Sequence, residues 1–166
     1  MDIALDKTIK QRRSIRRYTK QMPSENAIYK IIKAAIWAPS GLNNQPWKFK
    51  IISGNQKNKL SKFTKYAHVI EAAPVAICVF LDSSLTYNRD KDIMSVGACI
   101  QNMLLKAHAM GYGTCWLGEI LNKRKNVESY LKIPSDCELM AVVTLGYPDE
   151  KNKKGSRNNL KSFILD

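Results

Sequence analysis

Residues 93–110 set the first limit on what this chain can become. From Met94 through Val96, Cys99, Ile100, Met103, Leu104 and Ala107 to Met110, the segment reads as a helix apolar around most of its circumference. Such a helix has to be buried, either in a core or in a subunit interface. A chain of 166 residues has little room to enclose one completely, so the interface reading gains weight. Gln101, Asn102 and His108 are its polar exceptions. His108 has no partner at ligand spacing, which points to hydrogen bonding in a core or interface and not to catalysis or metal binding.

The other elements follow from periodicity and turn chemistry. Pro74 to Leu81 is a continuous β-prone apolar run, expected as a central strand with both faces covered. Ser24 can cap a helix in which Ile28, Ile31, Ile32, Ala35 and Ile36 recur on one face, ending at Ala38 before Pro39. Trp47–Ile52 alternates in part and reads as a half-buried strand, and Leu139–Leu145 as another apolar strand closed by Gly146-Tyr147-Pro148. Residues 2–11 predict a short helix; 56–66 and 122–131 predict basic surface helices, the second stopped by Pro134. Asp82–Asp92 shows no regular pattern and is expected as a mobile, substrate-covering stretch or as a plain connection. The tail from Asp149 is basic through Lys154 and turns apolar at Leu160, Phe163, Ile164 and Leu165, so it should dock on a sheet or on a partner subunit. With no repeat or linker, residues 1–166 are expected to form one domain.

Composition narrows the function. A hydrophobic fraction of 45% belongs to an ordinary globular chain. The net charge of +13 suggests an anionic partner: a phosphate ligand, nucleic acid or a membrane surface. Cys78, Cys99, Cys115 and Cys137 sit in apolar surroundings without a C-x-x-C pair, which argues for reduced thiols and against zinc or a disulfide framework. The N-terminus lacks the apolar run of a signal peptide, and no stretch is long enough to span a bilayer. A cytoplasmic protein is expected.

Three stretches carry unusual chemistry. Ala38-Pro39-Ser40-Gly41-Leu42-Asn43-Asn44-Gln45-Pro46-Trp47 joins a helix to a strand and is crowded with neutral donors and acceptors. A ligand-facing loop is favoured over a plain polar turn, because such groups at the end of a scaffold element read planar ligands well. Arg12-Arg13-Ser14-Ile15-Arg16-Arg17-Tyr18 concentrates guanidinium groups; a phosphate cradle, a nucleic-acid patch and a solvated run all remain open. Gly111, expected as a left-handed helix cap, begins a run with further glycines at 113 and 118. It lacks the spacing of G-x-G-x-x-G and follows a helix, so it suggests backbone passing close to something flat, or else a tight crossover with a short strand.

These stretches, with Leu145-Gly146-Tyr147-Pro148 and Arg157 downstream, resemble in order the signature segments of the flavin-dependent nitroreductases. The resemblance covers nearly the whole chain. It implies an α+β fold, a sandwich with a mainly antiparallel central sheet flanked by helices, assembled as an intertwined homodimer with two FMN sites at the interface. Carried over by position, it implies that Arg12, Arg13, Ser14 and Arg16 hold the FMN phosphate, ribityl chain and pyrimidine edge, with Arg157 on the phosphate. Pro39, Ser40, Gly41 and Asn43 would reach the flavin from the second subunit, and Leu117 and Gly118 would lie by the ring. Glu119 departs from the family pattern, where a small residue is usual; a carboxylate beside the ring would disfavour the anionic reduced flavin.

No elbow for a nucleophilic serine, zinc-protease helix or P-loop is present, so catalysis would be carried by a cofactor. The implied activity is an FMN-dependent NAD(P)H oxidoreductase. It would take hydride from NADH or NADPH and reduce a nitroaromatic, quinone or related small-molecule acceptor in a ping-pong cycle, with no catalytic side chain, metal, nucleic acid or membrane required. The alternatives are a basic nucleic-acid-binding module, supported by the charge and the arginine run, and a flavin-binding sensor or storage protein.

Overall fold

A computed structural model describes residues 2–150 and 154–165. Residues 151–153 of the expected basic run, together with Met1 and Asp166, lie outside the described residues. The element order is α1 (Asp2–Gln11), α2 (Glu25–Ala35), β1 (Trp47–Ser53), α3 (Gly54–Leu60), α4 (Ala67–Ala72), β2 (Val75–Asp82), α5 (Arg89–Ala109), β3 (Gly113–Leu117), α6 (Arg124–Leu131) and β4 (Cys137–Gly146). Short 3-10 turns lie at 41–43, 61–63, 119–123 and 160–163. The four strands form one sheet in the order β1-β2-β4-β3, and every neighbouring pair is antiparallel.

The apolar run of β2 is central, and each of its faces is covered. Val75, Ile77, Val79 and Leu81 join a core with Ile28, Ile31 and Ala35 of α2 and with Val96, Cys99, Ile100 and Met103 of α5. Ala76, Cys78 and Phe80 point the other way, into a second core with Leu60, Val69, Ile70, Ile120, Val127 and Leu131. Alternation along the strand thus serves two helical layers at once, which is why no polar residue interrupts it. Burial pushes the Cys78 thiol up to about 12, as expected of a reduced thiol that remains neutral. Against β2, β4 carries one extra residue: Val79 faces Ala141 while Phe80 faces Leu139. This bulge shifts the side-chain alternation of β4, so Ala141 and Leu139 enter different cores.

The long apolar helix starts earlier than its pattern suggested. Asn88 caps it by accepting from the Lys91 amide, and Asp90 and Asp92 fill its first turn, where negative charge is favoured. Arg89–Asp92 is therefore helical, a correction to the irregular stretch expected over 82–92. Gly111 closes the helix with φ +82°, and Tyr112 N donates to Ala107 O at 2.9 Å, the pattern of a left-handed cap. In the single chain α5 buries only one side; Met94 remains 66% exposed.

Other boundaries moved for local reasons. α2 is capped by Ser24 Oγ, which accepts from Ala27 N at 3.2 Å, and it ends at Ala35, loosening into turns before Ala38. The surface helix expected over 56–66 is a shorter helix followed by a 3-10 turn, and α4, six residues long, was missed. The segment after Gly111 forms β3 on the edge of the sheet, the short strand that one reading of those glycines expected. The apolar tail residues do not dock on their own chain: Leu160 is 72% and Leu165 96% exposed.

Candidate cofactor site

The arginine run leaves α1 and crosses the sheet edge as extended chain. Ser14 bridges Thr114 of β3 in parallel, and Ile15 N donates to Thr114 O at 2.9 Å. The approach is close because residue 113 is glycine; a Cβ there would lie 2.8 Å from the Ile15 side chain. So one of the three glycines makes room for the chain's own N-terminal segment, not for a flat ligand. Tyr18 fastens the far end: its buried hydroxyl donates to Ile15 O at 2.5 Å and shares a hydrogen bond of 2.7 Å with Thr144 Oγ1. Burial raises the Tyr18 phenol far above its ordinary value, so it stays neutral.

With the backbone held this way, Arg12, Arg13, Ser14 and Arg16 line one cavity of about 400 Å3. Arg157 and Glu150 complete it from the C-terminal segment. The tail passes so near that a Cβ on Gly155 would strike the Arg13 guanidinium at 2.3 Å. Arg13 Nη1 donates to the carbonyls of Lys10 and Arg12, both at 2.7 Å. Burial, then the charges of Arg13 and Arg157, lower the pKa of Arg12. Like charges gathered at one concavity, with Glu150 as the only acidic residue among its lining, fit an anion with several acceptor oxygens. Glu150 itself is directed at backbone: it accepts from Arg16 N at 2.6 Å and Arg17 N at 3.3 Å. Its position, 134 residues from Arg16, gave no sequence signal.

Arg16 also borders a second cavity of about 170 Å3, where Leu117 and Gly118 meet Tyr66 and Trp116. Neither aromatic was singled out from the sequence. A Cβ on Gly118 would meet nothing within 4 Å, so this glycine faces open space, unlike Gly113. The two cavities share Arg16 and together offer a cationic end and an aromatic, backbone-lined end.

Glu119, next in the chain after Gly118, does not line that opening. Its Oε2 accepts from Thr64 Oγ1 at 2.6 Å and from Lys65 N at 3.0 Å, and Asn122 Nδ2 approaches Oε1 at 3.5 Å. The Thr64 hydroxyl, then the Lys65 amide, hold its carboxyl below the usual carboxylate value.

The loop at 38–47 lies elsewhere. Pro39, Ser40 and Gly41 line a separate cavity of about 240 Å3 against Met94, Ser95 and Ala98 of α5. Much of the loop's polar capacity folds the loop itself. Ser40 Oγ accepts from Gln45 N at 3.0 Å, and Asn44 Nδ2 donates to Leu85 O at 3.0 Å and to Asp92 Oδ1 at 2.8 Å. Asp92, fully buried, also accepts from the Tyr87 and Asn88 amides, so the 82–92 segment is tied to the loop. Leu42, Asn43 and Gln45 all have φ near +50°, a strained conformation for side chains that is found at ligand-binding loops. Asn43 is exposed there. The single chain therefore brings Arg12, Arg13, Ser14, Arg16 and Arg157 together, joins them through Arg16 to Leu117 and Gly118, and leaves Pro39, Ser40 and Gly41 facing a different cavity, with Asn43 exposed beside them.

Known proteins resemble this chain in sequence and fold. The profile of the Nitroreductase family matches residues 9–68 and 63–147. A protein of Archaeoglobus fulgidus assigned as an NADH dehydrogenase/NAD(P)H nitroreductase is 37% identical, with 88% of this chain and 87% of that protein covered. One of the same description from Methanothermobacter thermautotrophicus is 34% identical, covering 86% of this chain and 76% of that protein. Among solved structures, a protein from Desulfovibrio desulfuricans assigned as a nitroreductase and crystallised in complex with FMN superposes with a TM-score of 0.94 at 42% identity, covering 98% of this chain and 95% of that one.

Proposed function

Since the chain belongs to the nitroreductase family and is an FMN-dependent oxidoreductase using a nicotinamide reductant, we propose that it reduces nitroaromatic, quinone or related acceptors in a ping-pong cycle. The observation that carries this reading is the cavity where four arginines converge, joined through Arg16 to an opening beside Leu117 and Gly118. That sequence of surfaces suits a ligand with a phosphate at one end and a flat ring at the other. When bound, FMN supplies the redox chemistry, two electrons received as hydride and handed on to the acceptor.

The chain's own work is binding and tuning. Arg12, Arg13, Ser14, Arg16 and Arg157 hold the phosphate end and the polar edge of the ring. Leu117 and Gly118 present backbone to the ring, and the guanidinium charges favour the negative charge it gains. Pro39, Ser40, Gly41 and Asn43 complete the site from a second copy, since in one chain none of them lines the arginine cavity or the opening beside Gly118. No side chain acts as catalytic acid or base. Residues 1–166 act as one flavin-binding domain within a cytoplasmic homodimer, with small molecules, and neither nucleic acid nor membrane, as partners. Among the described residues no helix is long and apolar enough to cross a membrane, and no cluster of ligating residues suits a metal ion.

The test is direct. Purified protein should be yellow and release FMN on denaturation. Anaerobic NADH or NADPH should bleach the bound flavin before any acceptor is added, and a nitroaromatic or a quinone should restore the colour. Flavin that stays oxidised for hours with both nucleotides would sink the reductase reading and favour storage or sensing.

A further inference from the structure

The carboxylate of Glu119 sits one residue beyond Gly118, yet it reaches the 61–66 segment, whose Tyr66 lines the ring-end cavity. It accepts from Thr64 Oγ1 and Lys65 N, and Thr64 Oγ1 in turn accepts from Tyr66 N at 3.1 Å. Three successive residues are thereby fixed by one side chain from the β3 exit. Tyr66, the last of them, is a half-exposed ring lining the same cavity as Trp116, Leu117 and Gly118. The backbone on either side is held separately: Thr64 N donates to Ser61 O at 3.3 Å, closing the 3-10 turn at 61–63, and Val69 N donates to Tyr66 O at 2.9 Å, leaving Thr64 and Lys65 as the span that Glu119 engages.

We propose that Glu119 is a positioning residue that clamps Thr64 and Lys65 and so sets Tyr66 as an aromatic wall against the flavin ring. The assignment rests on the FMN reading above. It accounts for a carboxylate at a position so near the ring: its Oε2 is engaged by Thr64 and Lys65, neither of which lines the cavity, so its charge is directed away from the opening. A clamp of this kind narrows the ring-end cavity without touching the phosphate end. Its loss should therefore change how the ring is held more than whether the phosphate is recognised.

The experiment compares wild type with Glu119→Ala, Glu119→Gln, Thr64→Val, the Glu119→Ala/Thr64→Val pair, and Tyr66→Leu. FMN dissociation constants, the emission of bound flavin, and unfolding of the FMN-free protein are measured together. Stacking against tyrosine quenches flavin emission, so Glu119→Ala should brighten the bound flavin toward the level of Tyr66→Leu. Affinity should fall about tenfold in Glu119→Ala and Thr64→Val alike, the size expected for one charge-assisted hydrogen bond. The double variant should lose less than the sum of the two single losses, because each substitution removes the same Glu119–Thr64 bond. Glu119→Gln, whose amide oxygen can still accept from Lys65 N, should recover most of the affinity.

Wild-type emission and affinity in Glu119→Ala would overturn the assignment, and so would additive losses in the double variant. Lowered stability of the FMN-free protein with affinity and emission intact would make the link structural only, which also overturns it. Should Glu119→Ala fail to fold, Thr64→Val and Glu119→Gln carry the same comparison. Wild-type protein that binds no FMN at all would instead end the flavin reading, a result distinct from each of these.

Discussion

At the scale of single residues, the arginine cavity makes the most direct demand. Arg12 is held among Arg13 and Arg157 with its pKa lowered by burial and by their charges, a cost relieved when an anion arrives. Replacing Arg12 or Arg16 by alanine should weaken FMN binding by about 1.5–3 kcal/mol, the range for a hydrogen bond to a charged group, as measured by fluorescence titration. The same field reaches His108, whose pKa is lowered first by burial and then by Arg12 and Arg13. Phosphate bound at the arginines offsets that field, so FMN binding should raise the pKa of His108 and draw in a proton. Proton uptake on binding means that affinity grows as pH falls through the window between the two His108 values. Protonation of the FMN phosphate near pH 6 acts in the opposite sense. The measurable quantity is therefore the difference in pH dependence between wild type and His108→Gln; identical profiles would remove His108 from the field of the site.

At the scale of elements, β2 does most to hold the molecule together. Ile77 is fully buried in the core shared with α2 and α5. Ile77→Ala should cost about 2–5 kcal/mol in urea unfolding of the FMN-free protein, and saturating FMN should raise the midpoints of wild type and variant alike. This strand was legible in the sequence because a double-faced strand leaves a continuous apolar run. α2 and α5 were legible for the equivalent reason, a stripe or sleeve at helical spacing. What could not be read was set by contacts distant in sequence. α4 is six residues long and takes its place from burial of Val69 and Ile70, too short for any period to show. Asp92 lies in an otherwise polar stretch, and its role emerges only when the 38–47 loop brings Asn44 within 2.8 Å. The arginines stood out as a cluster, and Trp116 lay within the glycine-flanked segment 111–118; Glu150 and Tyr66 could not be found, since nothing local distinguishes them. The loop stands out in the sequence as a ligand-facing candidate, but the Nδ2 of Asn44 and the Nε2 of Gln45 donate within the protein, while the buried Asn44 Oδ1 has no hydrogen-bond partner among the described residues.

At the scale of the whole molecule, one chain leaves too much apolar surface uncovered. Trp37 is 85% and Leu42 86% exposed, Met94 protrudes from the free side of α5, and the tail ends in exposed Leu160, Phe163, Ile164 and Leu165. Patches of this kind mark interaction surfaces. The full-length protein should be dimeric by light scattering at micromolar concentration, and removal of residues 158–166 should cause dissociation or aggregation. A stable, folded monomer would refute this. The division of the site between two cavities then acquires a genetic meaning. A chain defective at Arg12 and a chain defective in the Pro39–Asn43 loop would each be inactive as a homodimer, with both sites broken. Mixed dimers would gather both lesions into one site and leave the other intact. Unfolding and refolding the two variants together in equal amounts should restore about a quarter of the wild-type activity, since random pairing makes half the dimers mixed and each carries one sound site. Two null alleles would complement each other with no recombination between them.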